Sequence, residues 1–171
     1  PKGFDVNSLK YTLSQQTLRV AGSARTISAL DTLAVTDFDL AQEFELDRDY
    51  QRLIELPAGV VSLDGATNVT LSFDTDNLAS TKLNVSNIRA INVPSNYELE
   101  ILSSLVSGVE LYGPADEIQD LSADSVLAQI DCQSLNLTAG QQTIPVTIQI
   151  PASSRIFATG SYTVQCEITV K

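Results

Sequence analysis

The stretch TVQCEITV (163–170) places a polar residue at every odd position and an apolar one at every even position. Side chains that alternate with period two belong to a strand with one wet face and one buried face. IPVTIQI (144–150) repeats the pattern through Ile144, Val146, Ile148 and Ile150. In the first half, VTLSF (69–73) sets Val69, Leu71 and Phe73 on one face, and LRV (18–20) and VEL (109–111) are shorter examples. Thr, Val and Ile suit strands, and Asp64-Gly65, Ala139-Gly140 and Thr159-Gly160 mark turns between the runs. Helical spacing is scarce. SARTISALDTL (23–33) offers it through Ile27, Leu30 and Leu33. ADEIQDLS (115–122) offers it through Ile118 and Leu121, with Pro114 suited to a first helical position and Asp116 and Glu117 to the positive end of the dipole. The expected class is all-β: mainly antiparallel small β units with one short helix each.

Those two helical places also reveal a repeat. LRVAGSARTISAL (18–30) aligns with VELYGPADEIQDL (109–121) at an offset of 91, matching Val20 with Leu111, Gly22 with Gly113, Ile27 with Ile118 and Leu30 with Leu121. One residue further out of phase, Asp39-Leu40 matches Asp131-Cys132, and further along, at an offset of 94, Leu56-Pro57 matches Ile150-Pro151. The openings match as Phe4 and Val6 against Tyr97 and Leu99. Two tandem copies of one β unit account for the chain. The seam lies in the polar stretch 80–96, and the copies are set at 1–82 and 83–171. They carry net charges of −5 and −6.

Composition narrows the chemistry. The chain has 171 residues, 43% hydrophobic and 18% charged, enough for one ordinary domain or two small ones and too apolar for disorder. A net charge of −11 opposes nucleic-acid backbones and anionic membrane surfaces, which need clustered Lys and Arg. With no His, there is no Ser-His or Cys-His pair and no His-ligated metal site. No apolar run approaches the ~20 residues of a membrane span, and no signal peptide is visible. A chain beginning at Pro1 rather than Met is expected to be a cut-out fragment or a processed form.

The order of motifs in the second copy is similar to that of the YbbR-like domain family. The match runs through Val109, Gly113, Pro114, Ile118, Leu121, Ile130, Asp131, Gly140, Pro151 and the strand to Val170. The first copy departs from it. Ser23 stands where Pro is usual, and Glu43 to Asp49 replace a clear Gly turn after Asp39-Leu40. The resemblance implies tandem YbbR-like repeats forming an elongated rod outside the cell membrane, anchored by an N-terminal span, mainly in Gram-positive bacteria. It implies a partner, a membrane-bound diadenylate cyclase, whose output of cyclic di-AMP the parent protein regulates. It implies no enzyme activity, catalytic residue, cofactor or metal. Gly22, Asp39, Pro57, Gly113, Pro114, Asp131, Gly140 and Pro151 are then fold-making positions: Gly113 for a tight turn, Pro114 to start a helix, Asp131 at a strand end.

Other readings come from the residues themselves. Cys132 and Cys166 lie on apolar phases and read as core thiols, as a disulfide between neighbouring strands, or as a reactive group without an evident base. DFDLAQEFELDRD (37–49) could gather carboxylates for calcium, but Phe44 and Leu46 alternate with acids, as in a strand with one wet face. Asp74-Thr75-Asp76-Asn77 starts like a calcium loop, but Ala79 and Val85 stand where Gly and Glu are needed, so a turn is expected. A carboxylate-only hydrolase, a cell-surface adhesive module and a ribosome-associated β domain are the rival classes. The acidic charge opposes the last, and the lack of Trp and the sparse aromatics weaken a sugar-acting enzyme. Asn68, Asn84 and Asn136 begin Asn-x-Ser/Thr triplets, which matter only for a eukaryotic source.

Overall fold

The computed structural model describes residues 1–171, with only the backbone at Ser134. The chain divides into two compact units. The smaller comprises Leu9–Asp39 and Glu45–Thr75, and the larger comprises Pro1–Ser8, Leu40–Phe44 and Asp76–Lys171. The sequence expectation of a cut between residues 82 and 83 falls inside a strand of the larger unit. Residues 1–8 and 40–44 also belong to the larger unit, so its make-up is not contiguous in sequence.

The smaller unit contains β1 (Tyr11–Leu13), β2 (Val20–Ala21), α1 (Ala24–Ser28), β3 (Ala34–Val35), β4 (Asp49–Glu55), β5 (Val61–Ser62) and β6 (Asn68–Phe73). Between β3 and β4 comes α2 (Leu40–Glu43), which belongs to the larger unit. The other elements of the larger unit are β7 (Leu78–Val85), β8 (Ile88–Ile91), β9 (Tyr97–Ile101), β10 (Val106–Pro114), α3 (Ala115–Gln119), β11 (Leu127–Asp131), β12 (Gly140–Gln149), β13 (Phe157–Thr159) and β14 (Tyr162–Val170).

The pairing is duplicated. In the smaller unit the sheets run β1-β6-β4-β3 and β2-β5, and every pair is antiparallel. In the larger unit β9-β14-β12-β11 repeats the four-strand order and β10-β13 repeats the pair, again antiparallel. The helices α1 and α3 sit 91 residues apart, the offset read from the sequence. The larger unit adds two strands. β8 lies parallel to β11 at the sheet edge, and β7 lies antiparallel to β10. The protein is therefore mostly strand, antiparallel in every pairing but one.

Period-two burial follows the sequence pattern where both neighbours are present. On β14, Val164, Cys166 and Ile168 are buried and Thr163 and Gln165 exposed. On β12, Ile144 and Ile148 are buried and Pro145 is exposed. Pro145 is tolerated inside that strand because β14 pairs with it from one side, while the β11 pairing begins only at Thr147. β10 carries a bulge between Val106 and Val109, where the Asn84 side-chain oxygen accepts the Gly108 N–H at 3.0 Å.

The two cores differ in kind. The larger unit has one continuous aliphatic core including Val85, Val109, Leu111, Val126, Ile130 and Ile168, each at most 1% exposed. Phe157 joins Phe4, Phe44 and Tyr112 at centroid distances of 4.7, 5.1 and 5.8 Å. The smaller unit has only five buried hydrophobic side chains: Leu9, Tyr50, Val60, Val69 and Leu71. It leans instead on an aromatic group of Phe38, Tyr50 and Phe73, with the Arg52 guanidinium 4.8 Å from the Phe38 ring centre.

Several local expectations are corrected. The 37–49 run is not a one-faced strand. It folds into α2, then buries Phe44 to 2% exposure, and strand pairing starts only at Asp49. The aromatic contacts of Phe44 outweigh its alternation with acids. The helical spacing over 23–33 yields a single short helix, 24–28, and the strand expected at 18–20 begins only at Val20.

Candidate functional site

The repeated sequence positions occupy matching places. Gly22 follows β2, and an added Cβ would stand 3.1 Å from the Gly59 carbonyl oxygen and 3.4 Å from Val60. At Gly113 the same atom would come within 2.7 Å of Ile156 Cγ1 and 3.2 Å of the Arg155 carbonyl oxygen. Gly113 therefore lies in β10, not in a tight turn. Its lack of a side chain lets the 155–156 backbone approach the strand. Pro114 is the residue before α3 rather than its first residue, with φ −53° and ψ 137°. In the first copy Ser23 takes that place, and its hydroxyl oxygen accepts the Thr26 N–H at 3.2 Å. The departure from Pro thus supplies an N-cap.

Asp131 closes β11 and caps the next turn, Cys132–Ser134. Its Oδ1 accepts from Gln133 N–H at 3.2 Å and from Asn92 Nδ2 at 2.8 Å. Those two donors, Asn92 first, hold its carboxyl below the ordinary range. Asp39 stands directly before α2, the corresponding place in the first copy. Pro57 and Pro151 are exposed just beyond β4 and β12, and Pro57 opens a turn closed by the Val60 N–H on its carbonyl at 3.0 Å. Gly140 begins β12 with φ 105°, a conformation that favours glycine.

Sequence reading missed one matched pair. The Arg19 N–H is accepted by Asp64 Oδ2 at 2.8 Å, while the corresponding Glu110 N–H is accepted by the Tyr162 hydroxyl at 2.8 Å. Tyr162 then donates to the Thr159 carbonyl at 2.6 Å. Asp64 also binds the Arg19 guanidinium through Nε at 2.7 Å. The backbone hydrogen bond and then this side-chain one hold the Asp64 carboxyl low. Neither acceptor announces itself in the sequence, because each is a long-range partner on the far side of its copy.

Of the readings open for the cysteines, the structure has free, buried thiols. Burial pushes both upward, and the charge of Asp131 adds to the effect at Cys132. Raised, water-excluded thiols are poor nucleophiles. Among the described residues no cluster of His, Cys, Asp or Glu is placed to hold a metal ion, and 76–77 forms a turn. Ser153, Arg155 and Glu117 meet beside α3, with Arg155 Nη1 at 2.9 Å from Glu117 Oε1 and the Ser153 hydroxyl donating to Oε2. That carboxylate is engaged by two donors, the arrangement of a surface staple. No described helix is long and apolar enough to cross a membrane.

The smaller unit has a cleft of about 400 Å³. Leu18, Val20, Leu30, Leu33, Val35 and Ile54 form its apolar wall, with Gln15, Gln16 and Asp31 among its polar lining.

The geometry defines an all-β module with a duplicated sheet. Among solved structures it is similar to the YbbR-like domain of the lmo2119 protein from Listeria monocytogenes, at 19% identity and a TM-score of 0.42. The match covers 54% of this chain and 95% of that one. No family model and no curated protein matches the chain.

Proposed function

We propose that the chain is a non-enzymatic protein-interaction module, the extracytoplasmic part of a membrane-anchored regulator of a diadenylate cyclase. The observation that carries this reading is the doubled motif: strand, glycine, short helix, strand, an Asp directly before a helical turn, proline and closing strand recur in one order. These are the positions in which the sequence resembles YbbR-like repeats. The residues recurring between the copies serve close backbone approaches, caps and turns, and the cleft of the smaller unit has an apolar wall. Both features favour docking over turnover. The N-terminal span and the cyclase partner come from the resemblance.

The test is cyclic di-AMP in cells that co-express the cyclase with the anchored parent protein, with and without residues 1–171. A nucleotide level that changes with these residues supports regulation. An unchanged level, together with retention on cell-wall material in a pull-down, would make the alternative, an adhesive surface module, the better reading.

A further inference from the structure

Matching the two copies strand by strand exposes a missing cover. Val35 pairs with Ile54 across β3 and β4, as Ala128 pairs with Ile148 across β11 and β12. On that register Leu33 corresponds to Val126, and the sequence offset of 91 matches Leu18 with Val109. In the larger unit Val109, Leu111, Val126 and Ala128 are fully buried, and β7 and β8 help to cover them through Leu83, Val85, Ile88 and Ala90. In the smaller unit Leu18, Val20, Leu33 and Val35 are only half-buried and open onto the 400 Å³ cleft. At the edge, the Ala128 N–H donates to the Asn87 carbonyl at 2.9 Å. Its counterpart, Val35, lies on the outermost strand of its sheet. Thr36 N–H points inward to Leu53, so period two turns the Val35 N–H outward.

We propose that this cleft is a strand-acceptor site, which takes an extended segment of a partner protein parallel to β3, as β8 lies on β11. The segment has the make of residues 78–91: apolar side chains at alternate positions and a net positive charge. Charge argues for this. Residues 78–91 carry Lys82 and Arg89 and no acid, whereas the smaller unit carries five basic and nine acidic residues, with Asp31 on the cleft. Residues 1–8 belong to the larger unit. Strand addition supplies backbone hydrogen bonds for affinity and alternate pockets for selectivity. The inference rests on the reading of the module as protein-binding and gives that reading a surface.

The experiment is a titration of the labelled 171-residue chain with a synthetic peptide of sequence LASTKLNVSNIRAI, followed by amide and methyl NMR. Saturable shifts confined to Leu18, Leu33, Val35, Ile54 and their neighbours are expected. A peptide carrying an N-methyl group on the Arg89 nitrogen loses a parallel-ladder donor and should bind roughly tenfold more weakly. The exposed rim substitution Asp31→Lys should weaken binding severalfold and leave the spectrum otherwise intact. No saturable shifts, binding indifferent to both changes, or shifts at Val109 and Ala128 from exchange with the resident strands would each overturn the proposal. This titration contains no cyclase, so its failure removes the cleft while the cyclic di-AMP experiment stands on its own.

Discussion

The two copies share a strand order and differ in how each completes its core. The larger unit seals its sheet with β7 and β8 and brings Phe4 and Phe44 onto Phe157. The smaller unit has no such strands and leaves the equivalent positions half-buried. One topology can thus be held by a closed aliphatic interior or by aromatic and cation contacts around an open wall. The chain order of motifs carries the fold, while the amount of burial varies freely around it.

The sharpest test of that difference uses one residue type at one place. Ile148 is 7% exposed in the larger unit, and Ile54, its counterpart, lines the cleft. Ile148→Ala should cost about 3 kcal/mol, within the range for buried large-to-small changes. Ile54→Ala should cost about 1 kcal/mol, because the removed atoms were partly in water already. Amide exchange of β12 and β14, against β4 and β6, reads each loss in its own unit. Equal losses would mean that the cleft wall is as closely packed as the core and would erase the distinction.

The next effect concerns the paired glycines. Gly113→Ala drives a methyl to within 2.7 Å of the Ile156 side chain and 3.2 Å of the 155–156 backbone, so about 2 kcal/mol of overpacking is expected. Gly22→Ala meets its nearest atoms at 3.1–3.4 Å and should cost clearly less. Thermal melts followed by labelling of Cys132 and Cys166, both in the larger unit, report the first substitution. Exchange at β2 and β5 reports the second. A larger loss for Gly22→Ala would reverse the assignment of which crossing is tighter.

Much of this framework was legible in the sequence, and particular residues show why the rest was not. The 163–170 and 144–150 alternations read as strands because their neighbours bury most of one face, Val164, Cys166 and Ile168 on one and Ile144, Ile148 and Ile150 on the other, so composition and burial agree there. The offset of 91 located both helices because Ile27 and Ile118 hold the same local spacing. The 37–49 run misled because Phe44 is placed by distant rings, not by its neighbours. The cut at 82 and 83 missed β7 because its burial depends on β10, paired across some thirty residues. The cleft could not be read at all, since it is the place where a covering strand is absent.

A smaller effect tests the two ways of starting the helix. Ser23→Ala removes the acceptor for Thr26 N–H and should cost about 1 kcal/mol. Pro114→Ala removes no side-chain cap, because that position has none, and should cost less. Exchange rates of the first-turn amides of α1 and α3 separate the two. If both substitutions had the same effect, the Ser23 hydroxyl would not be acting as a cap.

The smallest difference is electrostatic and lies in the two acceptors of the 19 and 110 amides. Asp64 is a carboxylate held below its ordinary range by the Arg19 backbone and side chain, so the folded form binds its proton less readily than the unfolded chain. Its contribution is complete above the unfolded pKa, fades as pH falls through the lower folded pKa, and is gone below both. The Glu110 N–H is accepted instead by the Tyr162 hydroxyl, with no carboxylate in its place. Asp131 follows the same acid course as Asp64, but at the edge where β11 meets Asn92, so it does not touch the Glu110 amide. From about pH 5 to about pH 2, exchange at Arg19, corrected for its intrinsic pH dependence, should therefore accelerate relative to Glu110. Asp64→Asn should abolish that acid dependence at Arg19 and leave Glu110 unchanged. Parallel acid curves for the two amides in the unsubstituted protein would show that the carboxylate and the phenol are equivalent there, and the chemical contrast between the copies would reduce to packing alone.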